Sequence, residues 1–494
     1  MKTIIGSETE FGLVPRDKNR STDREILSRL IAVLHWGIRF PGHLEQIMKS
    51  ANWWNEDMER KEFNKEEDYD CLRRLGMTGE YQRNGSRLYV DGSHLEYSTP
   101  ECTDPFETVA YERCGEEIAA CAAAEVQSAL GLKADLVKRN TDYHGHSYAC
   151  HENYLTSRAL FDRLVPSNGC ARIAGYQSHE QAVLALHLAT RQLFTGSGSF
   201  RPEKPWPYAL GLSQRQPFVH YFSALSTTEC RSIVNTRDRP YADHARFGRL
   251  HVICGDSNRA DWSNILKYGT SRLVLDMLED GGETEVRRLS RYEMEYPVSA
   301  FGSVENKNTL IATKRGAVSA LDAQKAIYAS VRQWHEARPQ PEKEWIPKVM
   351  SMWGLVLDLI ERDDERLGRM LDYFIKKRIF EEARNRGGTF DAKQMQALEY
   401  HYHVAGSGSF FGELREQGFV EELVPKESIA RAREIPPESR AGTRTAFLEK
   451  YGRSAFGSAW HIVFFEEEGK YHVVTMPDPT SHDFSIDLED EGMR

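Results

Sequence analysis

The residues best equipped for chemistry in this chain are carboxylates and imidazoles set two apart in apolar, strand-like runs. Glu8 and Glu10 flank a threonine in Ile4-Ile5-Gly6-Ser7-Glu8-Thr9-Glu10-Phe11, and on a strand positions i and i+2 share a face. The same spacing recurs in His94 and Glu96 and in His151 and Asn153. Glu101 follows a turn at Pro100, and His251 lies within Leu250-His251-Val252-Ile253-Cys254. Ionised carboxylates rarely line a strand face that packs on a core, because desolvating each costs several kcal/mol. Facing a common cavity they are tolerable when hard cations neutralise them. Glutamate-rich ligation with an occasional histidine suits Mg²⁺ or Mn²⁺ better than zinc. A single Glu-x-Glu pair is ordinarily an exposed strand edge, and a lone strand histidine ordinarily a satisfied core residue. Recurrence on several separate strands lifts these residues above that level.

Arginines add a second layer. Arg237, in Asn235-Thr236-Arg237-Asp238-Arg239-Pro240, and Arg215, in Leu212-Ser213-Gln214-Arg215, occupy polar loop contexts suited to phosphates or carboxylates. Gly196-Ser197-Gly198 is a weak phosphate signal and more often a turn. The chain has neither a Walker lysine motif nor a glycine-rich dinucleotide fingerprint.

The elements that must position these groups follow from periodicity. Met1–Leu13 reads as a strand, and Asp23–Trp36 carries apolar residues at helical spacing. Ala51–Arg74 is dense in charge and poor in aliphatics, as expected of an exposed or mobile insertion. Strands are expected at Ser86–Val90, at His94–Tyr97, around His151 and through Leu250–Cys254. A long helix is expected over Pro105–Leu130, and nearly continuous helix from Val318 to about His403. Beyond Pro436-Pro437, a short helix at Arg444–Lys450 should precede a hairpin of Trp460–Phe465 and Tyr471–Met476 closed by Glu468-Gly469. The expected architecture is a large α+β domain over 1–430, with the charged insertion at about 45–80, and a small C-terminal domain over 431–494.

At 494 residues, 40% hydrophobic and 28% charged, the composition is that of a globular protein. No stretch approaches the roughly 18 uninterrupted apolar residues that span a bilayer. Glu8 and Glu10 come too early for a signal-peptide core, so a cytoplasmic location without membrane attachment is expected. Net charge of −10 argues against general nucleic-acid binding. The eight cysteines, Cys71 to Cys254, include no C-x-x-C pair and are expected to be buried thiols.

In several blocks the sequence resembles the family of the Pup ligase and the Pup deamidase/depupylase. The matching segments are Gly6-Ser7-Glu8-Thr9-Glu10-Phe11-Gly12, Asn84–Asp91, His94–Cys102, Ser147–Leu155, Ile233–Asp238 and Arg249–Asn258. The resemblance implies a glutamine-synthetase-like fold, a curved antiparallel sheet covered by helices, cradling ATP (or ADP) and Mg²⁺. It implies Glu8, Glu10, Glu96, Glu101, His151 and His251 for the metal–nucleotide shell and Asp91 as the catalytic aspartate. Arg237 and Arg215 are implied as phosphate or tag-carboxylate contacts, and Arg87, Tyr89 and Asn153 as substrate-binding residues. The implied partners are Pup, or a Pup-like ubiquitin-like tag, and tagged proteins.

Leu95 stands where the family usually has proline, and Arg239-Pro240-Tyr241 where it has an acidic-Pro-His segment. Asp91 precedes His94 by three positions, as in the depupylase, and the acidic insertion with Trp53-Trp54 also fits the hydrolase. Leu371–Arg378 is closer to the ligase. The expected activity is therefore amide hydrolysis on the tag, with isopeptide ligation as the alternative and a small-molecule glutamate–amine ligase as a further one.

Overall fold

The computed structural model describes residues 3–489 apart from 17–80, 92–93, 131–132, 143–145, 149, 166–177, 202–208, 228–230, 296, 339–342, 386–390, 407 and 452–454. The expected helix at Asp23–Trp36 and the charged insertion of about 45–80 lie outside the described residues.

The main sheet is built from β1 (Ile5–Pro15), β2 (Arg87–Asp91), β3 (His94–Ser98), β4 (Ala134–Val137) and β5 (Cys150–Ser157). After a small hairpin of β6 (Ser199–Arg201) and β7 (Ala209–Gly211), it continues with β8 (Tyr221–Ala224), β9 (Ser232–Asn235) and β10 (Phe247–Val252). The order is β2-β3-β1-β5-β10-β9-β8, with β4 pairing the far end of β1. The expectation of an antiparallel sheet is met except at one edge, where β8 and β9 run parallel. These strands are four residues long, too short for an alternation pattern to fix their direction.

Strand alternation divides the sheet into two unlike faces. Phe11, Leu88, Leu95, Tyr97, Tyr154, Leu250 and Val252 turn to one side and form the core with the helices Pro105–Leu130 and Asp261–Glu279. The first helix starts cleanly, with Pro105 in its first turn and the Asp104 carboxylate accepting from the Glu107 amide at 2.8 Å. Midway along it, Gly115 lets the Tyr97 ring pack where a Cβ would lie 2.1 Å from it.

Helices at Ala320–Glu336, Trp345–Arg362, Asp372–Asn385 and Ala392–His403 fill the stretch expected to be helical. They follow a β11–β12 hairpin (Leu310–Thr313, Gly316–Ser319). Ile429 and Ala432 of the helix Lys426–Glu434 still belong to the main core.

The helix Arg440–Tyr451 instead lies on a four-stranded sheet of β13 (Ala455–Ala459), β14 (Ile462–Glu467), β15 (Lys470–Thr475) and β16 (Ser485–Glu489). Val463, Phe465, Val474 and Met476 give that sheet its own small core. Its central hairpin is the one expected: Glu468 and Gly469 both adopt positive φ, 53° and 75°, as a two-residue type I′ turn requires. Cys102, Cys114, Cys150 and Cys254 are buried, as expected, whereas Cys121 is exposed. Among the described residues, no helix is long and apolar enough to cross a membrane.

Candidate active site

The face of the main sheet turned away from the helices carries the chemistry. Cross-strand register sets Glu8 opposite His151, Glu10 opposite Glu96, Tyr89 opposite Glu96, Asp91 opposite His94, and His251 opposite Asn153. Five strands thus deliver their alternate residues to one surface, and spacing of two along each strand becomes proximity across strands.

Two groups of three ligand-capable side chains result: Glu8, His151 and His251, and Glu10, Asp91 and Glu96. Within each, the ligand atoms lie within 4.8 Å of one another. In the first group, Glu8 Oε2 is 3.3 Å from His151 Nδ1 and 3.6 Å from His251 Nε2. Asn153 Nδ2 donates to Glu8 Oε1 at 3.0 Å, and Arg249 donates to Asn153 Oδ1 at 2.8 Å. Burial opposes ionisation of Glu8, but its neighbours outweigh it, namely His251, His151 through a hydrogen bond, and the charge of Arg249, and hold the carboxyl well below its usual range. Burial pushes His251 the other way, toward neutral imidazole, the form that coordinates metal.

The second group is short of positive charge. Burial, then Glu8 and Glu10, drive Glu96 far above the ordinary carboxylate range. One of its oxygens accepts from Tyr89 at 2.5 Å; the other is buried with no hydrogen-bond partner among the described residues. Asp91, exposed at the end of β2, is also raised, by partial desolvation and then by Glu10. His94 stacks on Tyr148 with ring centroids 4.4 Å apart and brings Nδ1 to 3.9 Å from Glu10.

The arginines diverge. Arg237 is exposed beyond β9 and contributes positive charge to the surroundings of Asp91 and His251. Arg215 is fully buried, and its three guanidinium nitrogens have no hydrogen-bond partner among the described residues; burial lowers its pKa, and the charges of Glu10 and Asp256 oppose that fall.

Two residues stand elsewhere than expected. Glu101 belongs to neither group: Arg440 Nε donates to it at 2.7 Å and both terminal nitrogens of Arg444 at 2.9 Å. Two arginines therefore neutralise this carboxylate. Arg87 turns toward the C-terminal sheet, its guanidinium 5.0 Å from the Tyr81 ring, 4.9 Å from Tyr89 and 5.7 Å from Trp460.

Beside Glu8 a partly open cavity lies between the main sheet and the C-terminal sheet, walled by Ile5, Leu155, Pro240, Tyr241, Arg440 and Trp460. Arg249 was legible in principle, since it shares a strand face with His251. Tyr241, Arg440 and Trp460 carried no local signal, because tertiary contact alone brings them here. Under the sheet, Glu152 is locked to Arg191 by bonds of 2.8 and 2.5 Å and accepts from Tyr154 at 2.6 Å.

A sheet face that gathers carboxylates and imidazoles beside an aromatic-lined cavity has the donor set of a protein able to hold hard cations. The family model described as Pup-ligase protein matches residues 3–464, and the chain belongs to that family of Pup-modifying enzymes. It is 33% identical to the Pup deamidase/depupylase of Mycolicibacterium smegmatis over 95% of this chain and 92% of that one. It is 34% identical to the Pup–protein ligase of Bifidobacterium longum over 76% of this chain and 78% of the other. Among solved structures, the complex of Pup with its ligase PafA superposes with a TM-score of 0.76 at 27% identity, covering 97% of this chain and 90% of that one. PafA in complex with ADP gives 0.70 at 29%, covering 85% and 92%.

Proposed function

We propose that the protein is an ATP- and Mg²⁺-dependent amidohydrolase acting on Pup or a Pup-like tag, which deamidates a C-terminal glutamine and cleaves the isopeptide bond between tag and lysine. The observation that carries this reading is the seat of Asp91: a solvent-reachable carboxylate at the strand end, grouped with Glu10 and Glu96. The sequence match to the Mycolicibacterium smegmatis depupylase runs over 95% of this chain, and that to the Bifidobacterium longum ligase over 76%, which supports the hydrolytic reading.

The residues fit hard cations. Both ring nitrogens of His251 and one oxygen of Glu96 are buried without hydrogen-bond partners, and the donor set is rich in oxygen. Glu8, His151 and His251 would hold one cation, and Glu10 and Glu96 a second. Bound there with nucleotide phosphates, the cations would offset the negative charge gathered on this face. The aromatic and apolar cavity beside Glu8 suits the nucleoside.

The chain's own part in the chemistry is Asp91, which either attacks the amide carbonyl carbon or takes a proton from a water that does so. In the first route the carbon–nitrogen bond breaks as an anhydride forms, the amine leaves with a proton from water, and a hydroxyl then restores the aspartate. Both routes consume one water and yield a glutamate side chain and a free amine. The charge of Arg237 opposes the rise in the Asp91 pKa.

The test is a purified enzyme given a glutamine-ended tag, or a tag–lysine conjugate, with Mg-ATP. Mass spectrometry should show deamidation and release of the target without stoichiometric ATP consumption. Formation of tag–lysine bonds with one ATP spent per bond, and no cleavage, would establish ligation instead.

A further inference from the structure

We infer that Glu101 is a positioning residue: with Arg440 and Arg444 it locks the C-terminal sheet onto the main sheet, sets the wall of the cavity beside Glu8, and makes nucleotide binding and docking of that sheet mutually dependent. This rests on the reading of the cavity as a nucleotide site.

Arg440 and Arg444 sit four apart on the helix Arg440–Tyr451, hence on one face, and both grip the same carboxylate. Both arginines also donate to backbone carbonyls on the two sides of the seam. Arg444 donates to the Gly85 and Trp460 carbonyls at 2.8 Å each. Arg440 donates to the Met476 carbonyl at 3.2 Å and to the carbonyl of Tyr241. The helix comes this close because residue 85 is glycine, with φ of 79°: a Cβ there would lie 2.9 Å from that of Ala441.

Tyr241 itself holds φ of 48°, a conformation that costs free energy for a side chain of this size and persists only where neighbours enforce it. The enforcing neighbour is Arg440. The ring so placed lines the cavity with Trp460, and the Arg249 guanidinium, which also reaches Glu8, lies 5.4 Å from it. One carboxylate thus connects the C-terminal helix, the cavity wall and the surroundings of Glu8. A ligand that needs this wall binds only the docked arrangement, so whatever loosens the dock lowers its apparent affinity in proportion.

The experiment uses the full chain and Mg-ADP as probe. Calorimetry should show Glu101→Gln and Arg440→Met weakening Mg-ADP by about tenfold or more. Hydrogen exchange in β14 and β15 should slow with Mg-ADP in the wild type and not in these variants. Mn²⁺ binding without nucleotide, read by electron paramagnetic resonance, should be the same for Glu101→Gln and wild type. Tyr241→Gly guards against misfolding, since glycine accepts the positive φ while removing only the ring; it should also weaken Mg-ADP. Wild-type affinity in Glu101→Gln or Tyr241→Gly overturns the inference while leaving the nucleotide site intact, and loss of a Mn²⁺ site in Glu101→Gln returns Glu101 to the metal set and overturns it too. A wild type that binds no nucleotide overturns the proposed function, and this inference with it.

Discussion

Acid should unfasten the seam between the two sheets through Glu101. Burial opposes ionisation of this carboxyl, but Arg444 and Arg440 outweigh it and hold the pKa at about 2, against an ordinary 4.5. At about 1.36 kcal/mol for each tenfold change in an equilibrium, that gap corresponds to about 3 kcal/mol of folding stability. Because the folded value is the lower one, the contribution is complete above the ordinary value and disappears as pH falls from there toward about 2. Glu101→Gln mimics the protonated state at every pH. Urea unfolding of variant and wild type should differ by about 3 kcal/mol near pH 7, about 1.4 near pH 3 and under about 0.5 near pH 2. Other acid-sensitive groups affect both proteins alike and cancel in the difference. A gap of the same size at neutral and acid pH would refute the reasoning, as would no gap near neutrality.

Asp91→Asn should cut turnover by about a thousandfold or more while leaving Mg-ADP affinity within a factor of about two; full activity would remove Asp91 from the chemistry. Chelation of divalent metal should abolish ADP binding measured by calorimetry. Glu8→Gln should weaken it by about tenfold or more, and metal-independent binding of equal strength would contradict the cation sites. Gly115→Ala gains about 1 kcal/mol of helix propensity but drives a methyl into the Tyr97 ring 2.1 Å away. Overpacking of about 1–3 kcal/mol should prevail and lower the melting temperature, so a more stable variant would show that the contact yields easily.

What the sequence could reveal was what alternation encodes. Glu8 with Glu10, and His94 with Glu96, announce a strand face locally, and the hairpin at Glu468-Gly469 announces its own turn. Glu101 shows the limit. It follows β3 at Pro100 in the company of true face residues, yet its partners, Arg440 and Arg444, lie some 340 positions away, and no local pattern encodes such a pairing. Arg87 is similar: two residues before Tyr89 on β2, its destination is decided by Tyr81 and Trp460. Cys121 is exposed because it falls on the outward side of the Pro105–Leu130 helix, next to the buried Ala122 and Ala123, which an alanine-rich stretch does not reveal. The parallel edge of β8 and β9 escaped for want of length.

The alternation along β5 has a consequence for how this protein can change. His151 and Asn153 point up into the site, while Glu152, between them, points down into its lock with Arg191. A point substitution alters one of these and spares the rest. Gain or loss of a single residue in the strand would exchange the faces, thrusting Glu152 among the other carboxylates and leaving Arg191 buried without its counter-charge. Descendants of this chain can therefore explore new chemistry at β5 by replacement, whereas changes of length must fall elsewhere, in the connections between strands.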